Sequence, residues 1–298
     1  MSILAEVCKK ASLGYCYTLS DYEDFTNFTY LSKCYSRSFI LLNSFISQPG
    51  SLFINLLTFV AIIMLLFSIK NKYTAVGRSE ICFLFYNLLI SIALSIVVDN
   101  GFIGQSSSNY PLFVSVQMAS ISICYATLAL TGLVNLKLWE DNTWLSKLIF
   151  KISAAIIGIC SFVYHYETLT KSKPSLIQSK ATAILLTDYG INAAFIIIYV
   201  VCQCLTSVFI VKNYWMIGAQ LLGLLFFMSG QIISHIFSIN ICQQSNHYLD
   251  GMFVLSLSNL LSIMMVYKSW AISTTEDLEF SVNMLSNDEI LDLESEKI

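Results

Sequence analysis

The side chains from which a reaction centre could be built are few. The 298 residues include three histidines, His165, His235 and His247, nine cysteines and 19 acids. A hydrolytic metal centre needs His, Asp or Glu at ligand spacing, and neither H-x-x-x-H nor H-E-x-x-H occurs. The G-x-S-x-G elbow of serine hydrolases and the G-x-x-x-x-G-K-[ST] phosphate loop are also missing from the sequence. A retinal pigment needs a lysine within its last apolar segment. Here Lys268 stands at the end of that segment beside Tyr267 and Trp270, the position of an interfacial anchor. Gln231 and His235 lie one turn apart near a segment end and read as a hydrogen-bonded structural pair. Lys and Arg do not cluster with aromatics, so no nucleic-acid surface is expected.

Membrane helices must position these residues. The chain is 56% hydrophobic and 12% charged, with a mean hydropathy of +0.70. Soluble domains carry about 25% charged residues. Runs of about 18 or more apolar residues are candidate transmembrane helices. Seven such runs are read at 51–69, 81–98, 111–134, 148–166, 189–211, 214–236 and 248–269. The fold class is therefore all-α, a polytopic seven-helix bundle. Residues 1–50 form an N-terminal segment, 51–270 the membrane domain and 271–298 an acidic tail. The first 20 residues lack the pattern of a secretory signal peptide, so Ser51–Ile69 is expected to serve as targeting signal and first span.

Charge orients the bundle. Lys70, Lys72 and Arg78 follow the first run, Lys137 and Lys147 the third, Lys212 the fifth, and Lys268 closes the seventh. Of the alternate connections, 99–110 and 237–247 have no Lys or Arg, and only 167–188 holds some. Short cytoplasmic loops are enriched in these residues, which places the N-terminus in the lumen and the tail in the cytosol. The tail has eight acids against one base, Lys297, a net −7 that leaves +4 for the remainder. The sequon Asn27-Phe28-Thr29 would then be lumenal. So would Cys8, Cys16, Cys34 and Cys242, an even count that predicts disulfides in an oxidising compartment. One could tie the N-terminal segment to the loop holding Cys242; the pairing stays open.

Within the spans, small and polar residues recur on single helical faces. Examples are Ser115, Ala119, Ser122, Ala126 and Ala129, then Ala154 and Gly158, Gly223, Gly230 and Ser234, and Ser256, Asn259 and Ser262. These rows read as packing seams of the bundle. No span interior carries Asp or Glu in this assignment, which leaves little for ion coupling. A seven-helix receptor or a small-solute transporter remains the competing class.

Charged and aromatic clusters at the span ends carry a resemblance. KYTAVGRSE (72–80), LWEDNT (138–143), HYLDG (247–251), MMVYKSW (264–270) and DLEFSV (277–282), with CYSRS (34–38), resemble the fungal chitin synthase export chaperone family. The motifs are co-linear and run to about Val282. The resemblance implies a non-enzymatic seven-span protein of the endoplasmic reticulum membrane, without cofactor. Its role would be to help a polytopic chitin synthase fold, avoid aggregation and reach the cell surface for cell-wall biogenesis. Residues in those motifs become candidate client contacts: Arg78, Glu80, Trp139, Glu140, Asp141, His247, Asp250, Lys268 and Trp270. The tail triplets Asp277-Leu278-Glu279 and Asp292-Leu293-Glu294 resemble export signals read by vesicle coat proteins. Only Lys297 is basic at the C-terminus, so no dilysine retrieval pattern opposes escort of the client.

Overall fold

The computed structural model describes residues 3–11, 13–20, 32, 34–41, 44–72, 75, 77–105, 107–136, 143–170 and 184–295. Two short helices, α1 (Ile3–Lys10) and α2 (Gly14–Ser20), are followed by an antiparallel hairpin, β1 (Phe39–Leu41) and β2 (Ser44–Ile46). Phe39 pairs with Ile46 and Leu41 with Ser44. Seven long helices come next. They are α3 (Pro49–Asn71), α4 (Arg78–Asp99), α5 (Tyr110–Asn135), α6 (Trp144–Thr170), α7 (Leu186–Val211), α8 (Tyr214–Gln244) and α9 (Gly251–Ser295). Among the described residues these seven are long and apolar enough to cross a membrane, α9 over Gly251–Thr274. A spanning helix of 22 residues is roughly 33 Å long.

Local chemistry accounts for the boundaries. Pro49 and Pro111 occupy first-turn positions of α3 and α5, where a missing N–H costs nothing. Gly77 precedes α4 with φ of 66°, a conformation suited to glycine. Asn213 accepts from the Trp215 N–H and caps α8. Residues 271–295 contain no Gly or Pro, so nothing in the chain interrupts α9 where the apolar segment gives way to acidic sequence.

The middle of the bundle is α5, which packs against α4, α6 and α7, while α9 packs on α3 and α8. Half of the most apolar stretch of α5 is buried inside the bundle, against 17% for α6. This follows from the small-residue row: Ser115, Ala119, Ser122, Ala126 and Ala129 are all buried. Lipid tails are as apolar as leucine, so close approach and hydrogen bonding hold such helices together. Gly230 shows how close the approach is, since a Cβ there would lie 2.5 Å from Ser258 Cβ. Many buried hydroxyls bond to carbonyls of their own helices, as Thr58 does to Ile54 and Ser115 to Pro111, which satisfies those donors in an apolar medium.

The helices run beyond the expected segments and take in acidic residues at their ends. Helix α4 ends at Asp99 and α7 contains Asp188 in its first turn. Both carboxylates are supplied with donors from neighbouring helices. Gln117 Nε2 donates to both Asp99 oxygens at 3.0 Å, and His165 Nε2 lies 2.9 Å from Asp188 Oδ1. Cys242, expected in a loop, belongs to α8.

Two candidate sites at opposite ends of the bundle

The sequence-derived contact residues fall at two ends of the bundle. At the first, Arg78 and Glu80 open α4. Glu80 is buried, and the Ser146 hydroxyl of α6 donates to its Oε1 at 2.6 Å. Trp270 is buried on α9. Lys72 sits 5.4 Å from its ring centroid and donates to the Thr274 hydroxyl at 3.4 Å. Glu80 and Trp270 line one small cavity with Thr131, Asn135, Tyr199 and Gln203, among apolar neighbours such as Ile81 and Val266. Gln203 is buried on α7 and its Oε1 has no partner among the described residues. Two motifs nearly 200 residues apart thus meet at one place. Lys268 is exposed. Trp139, Glu140 and Asp141 lie outside the described residues.

The second site holds His247 and Asp250. Asp250 precedes α9, and its Oδ1 accepts from the Phe253 N–H at 3.1 Å, an N-cap arrangement. Burial pushes its carboxyl above the usual range, against the opposing pull of hydrogen bonds from Phe253 and Ser36. His247 follows Asn246 in a left-handed turn, with φ of 52° and 66°. Its carbonyl accepts from the Arg37 N–H at 2.7 Å. The Arg37 guanidinium lies 4.8 Å over the Tyr248 ring. Cys34 is disulfide-bonded to Cys242, and Cys8 to Cys16, so the N-terminal segment is fastened both to itself and to α8.

Between these ends, nearer the second, lies a polar network that hydropathy and spacing did not disclose. His235 Nδ1 faces the Gln231 carbonyl at 2.7 Å, so that nitrogen carries the hydrogen. Nε2 must then accept, and the Tyr189 hydroxyl donates to it at 2.5 Å. The Tyr15 hydroxyl of α2 lies 3.3 Å from that of Tyr189, and with Tyr189 committed as donor, Tyr15 donates to it. Burial, with Tyr189 beside it, pushes the Tyr15 phenol well above the usual range. His165 Nδ1 faces the Ser161 carbonyl at 2.7 Å and Nε2 faces Asp188. Both nitrogens therefore meet acceptors, and one shared proton makes either an ion pair or a neutral acid–imidazole pair. Asp188 and Tyr189 lie in a π-helical turn of α7, Leu186–Ile191, and His235 in one of α8, Ile233–Phe237. Such turns add a residue to the helical repeat and re-aim side chains. His235 is hydrogen-bonded on both nitrogens, a structural role. The signal for a network was the clustering of ionisable residues at predicted span ends, but spacing along the chain did not pair them.

Asn27 lies outside the described residues. Asp277, Glu279, Asp292 and Glu294 lie on the helical backbone of α9.

Seven apolar helices packed through small-residue seams, with polar clusters at both ends, define a polytopic membrane bundle. The sequence model of the chitin synthase export chaperone matches residues 2–284. Similar chains carry that same description. The one from Kluyveromyces lactis is 40% identical over 257 residues, 86% of this chain and 81% of the relative. That from Saccharomyces cerevisiae is 37% identical over 265 residues, covering 88% and 83%, and that from Candida albicans 34% over 278, covering 93% and 90%. The chain belongs to the chitin synthase export chaperone family. No solved structure matches it.

Proposed function

We propose that this chain is a membrane chaperone for a chitin synthase, acting in the endoplasmic reticulum to support the client's folding, limit its aggregation and promote its export. The observation that carries the reading is the family match across residues 2–284. It is supported by the bundle itself, in which most chemistry-bearing side chains are engaged in holding helices together. We read the protein as non-enzymatic and without cofactor. The distribution of Lys and Arg supports a lumenal N-terminal segment and a cytosolic acidic tail.

The bundle docks beside the client's helices in this reading and supplies hydrogen bonds to polar groups that would otherwise face lipid. Such groups are costly when unsatisfied. Candidate contacts are Arg78, Glu80, Trp270 and Lys268 on the cytosolic side, with Trp139, Glu140 and Asp141, and His247 and Asp250 on the lumenal side. Asp277, Glu279, Asp292 and Glu294 are proposed to engage vesicle coat proteins, and Asn27 to accept a glycan.

Removal of the protein, with a fluorescently tagged chitin synthase followed in the same cells, tests this. The expected result is a client retained in the endoplasmic reticulum and polydisperse in mild detergent, while unrelated polytopic cargo exits normally. A client that reaches the surface intact and active would overturn the proposal and return attention to a receptor or transporter.

A further inference from the structure

The two disulfides differ in what surrounds them. All four cysteines are buried residues: relative exposures are 0% and 3% for Cys8 and Cys16, and 7% and 0% for Cys34 and Cys242. Among the described residues, only the second pair has a His, Asp or Glu in reach of both sulfurs. His247 Nδ1 lies 3.3 Å from Cys34 Sγ and 3.5 Å from Cys242 Sγ. Among the described residues this is the one trio of His, Cys, Asp or Glu whose ligand atoms all lie within 4.8 Å of one another. The sulfurs are bonded to each other, so the cluster is a disulfide beside an imidazole.

The backbone holds the imidazole there. Asn246 and His247 both adopt positive φ, uncommon for residues with a side chain and enriched at functional sites. The turn is closed by the His247 N–H to the Cys242 carbonyl at 2.9 Å and by the Arg37 N–H to the His247 carbonyl at 2.7 Å. Nδ1 also lies 3.2 Å from the Tyr35 carbonyl. A carbonyl only accepts, so Nδ1 carries a hydrogen, shared between that carbonyl and the two adjacent sulfurs. His247 itself is exposed.

We propose that His247 makes Cys34–Cys242 an exchangeable bond, a thiol–disulfide exchange site for a protein dithiol, while Cys8–Cys16 is structural. Exchange proceeds by attack of a thiolate on one sulfur, and a stabilised leaving thiolate leaves faster. A hydrogen-bond donor or a cationic imidazole beside a sulfur stabilises its thiolate. The incoming thiolate attacks the sulfur of Cys34, the more exposed residue of the pair. The Cys34–Cys242 bond breaks and a mixed disulfide forms on Cys34. The Cys242 thiolate leaves, held by the His247 N–H, and takes up a proton. The second thiol of the dithiol then attacks the mixed disulfide and releases Cys34 as a thiol. The dithiol ends as a disulfide, oxidised by two electrons, and its two protons end on Cys34 and Cys242. The N-terminal segment is thereby freed from α8, to which the bond ties it across 208 residues.

The test uses the full chain in mild detergent, treated with dithiothreitol as the dithiol. Samples are quenched by alkylation, and each cysteine pair is followed by peptide mass spectrometry. Cys8–Cys16 is the reference within the same molecule. Cys34–Cys242 is expected to open at least about tenfold faster than Cys8–Cys16. His247→Gly, which keeps the left-handed backbone but removes the donor, is expected to lose most of that advantage. His247→Asn tolerates the same backbone and places an amide N–H close to the position of Nδ1, so it is expected to restore much of the rate. Equal rates for the two disulfides in the unmodified protein would overturn the proposal. An unchanged rate in His247→Gly would overturn it as well, because faster opening would then owe nothing to the imidazole.

Discussion

The two ends of the bundle are held by different means. At the N-terminal end, covalent and polar ties join elements far apart in the chain: Cys34 to Cys242, the Arg37 N–H to the His247 carbonyl, and Tyr15 through Tyr189 to His235. At the other end the ties are non-covalent. Ser146 donates to Glu80, Ser68 and Tyr267 share a hydrogen bond at 2.6 Å, and Lys72 faces the Trp270 ring. The half-buried Cys82 there is a free thiol. Covalent closure holds its elements together for as long as the disulfide is intact. Hydrogen bonds around a small cavity can be exchanged for those of a partner at modest net cost, since one such bond contributes only about 1 kcal/mol. The difference sets a covalent tie, opened only by thiol exchange, against non-covalent contacts that a partner can replace directly.

Substitutions should rank accordingly. Cys242→Ser is expected to have the largest effect, a loss of about 2–5 kcal/mol, read as earlier loss of monodispersity on heating in detergent. Glu80→Ala should cost less, about 1–3 kcal/mol, because it leaves the buried Ser146 hydroxyl without its acceptor. Glu80→Gln keeps an acceptor and should recover most of the loss. If Glu80→Ala proves as damaging as Cys242→Ser in the same assay, the contrast between the ends fails.

A smaller effect, with a definite pH dependence, is expected at Asp250. Its folded-state carboxyl is held above the usual value by burial, so the protonated form is the one that favours folding. That contribution is fully present below the unfolded value, about 3.9, and is lost as pH rises through the raised folded value. Asp250→Asn keeps the cap without the charge. It should be at least as heat-stable as the unmodified protein around neutral pH, with the gap closing as acid is added. A gap that does not change with pH would show that Asp250 titrates alike in both states. Lys268→Ala, at an exposed side chain, should move stability by less than about 0.5 kcal/mol. Any loss of client export in that variant would then report a contact rather than the fold.

The seams show how much of the packing could be read along the chain. The row Ser115, Ala119, Ser122, Ala126 and Ala129 is buried as a set, and Gly158, Gly223 and Gly230 each meet a neighbouring helix at distances a Cβ would close. Small residues at helical spacing name the buried face because only they admit a second backbone. Asp99 and Asp188 each stand one residue beyond an expected span, at helix ends. There Gln117 and His165 on neighbouring helices supply donors to the two carboxylates. The candidate contacts were legible only as motifs at span ends. The alternation of seven runs set Glu80 and Trp270 at one end and His247 and Asp250 at the other, but nothing along the chain indicated that Glu80 and Trp270 share a cavity.

By itself, the amino-acid sequence determined the number of long apolar helices, the seams through which they pack and the membership of the family. Each depends on local composition, on residue spacing within a helix or on co-linear motifs. Only the tertiary structure decided that Cys34 pairs with Cys242, that Ser146 answers Glu80 and that Tyr15 reaches His235 through Tyr189. Those pairings depend on the rotation and depth of each helix against its neighbours. Two of the helices involved carry π-helical turns, which shift side-chain direction without changing the hydrophobicity that puts a helix in the membrane.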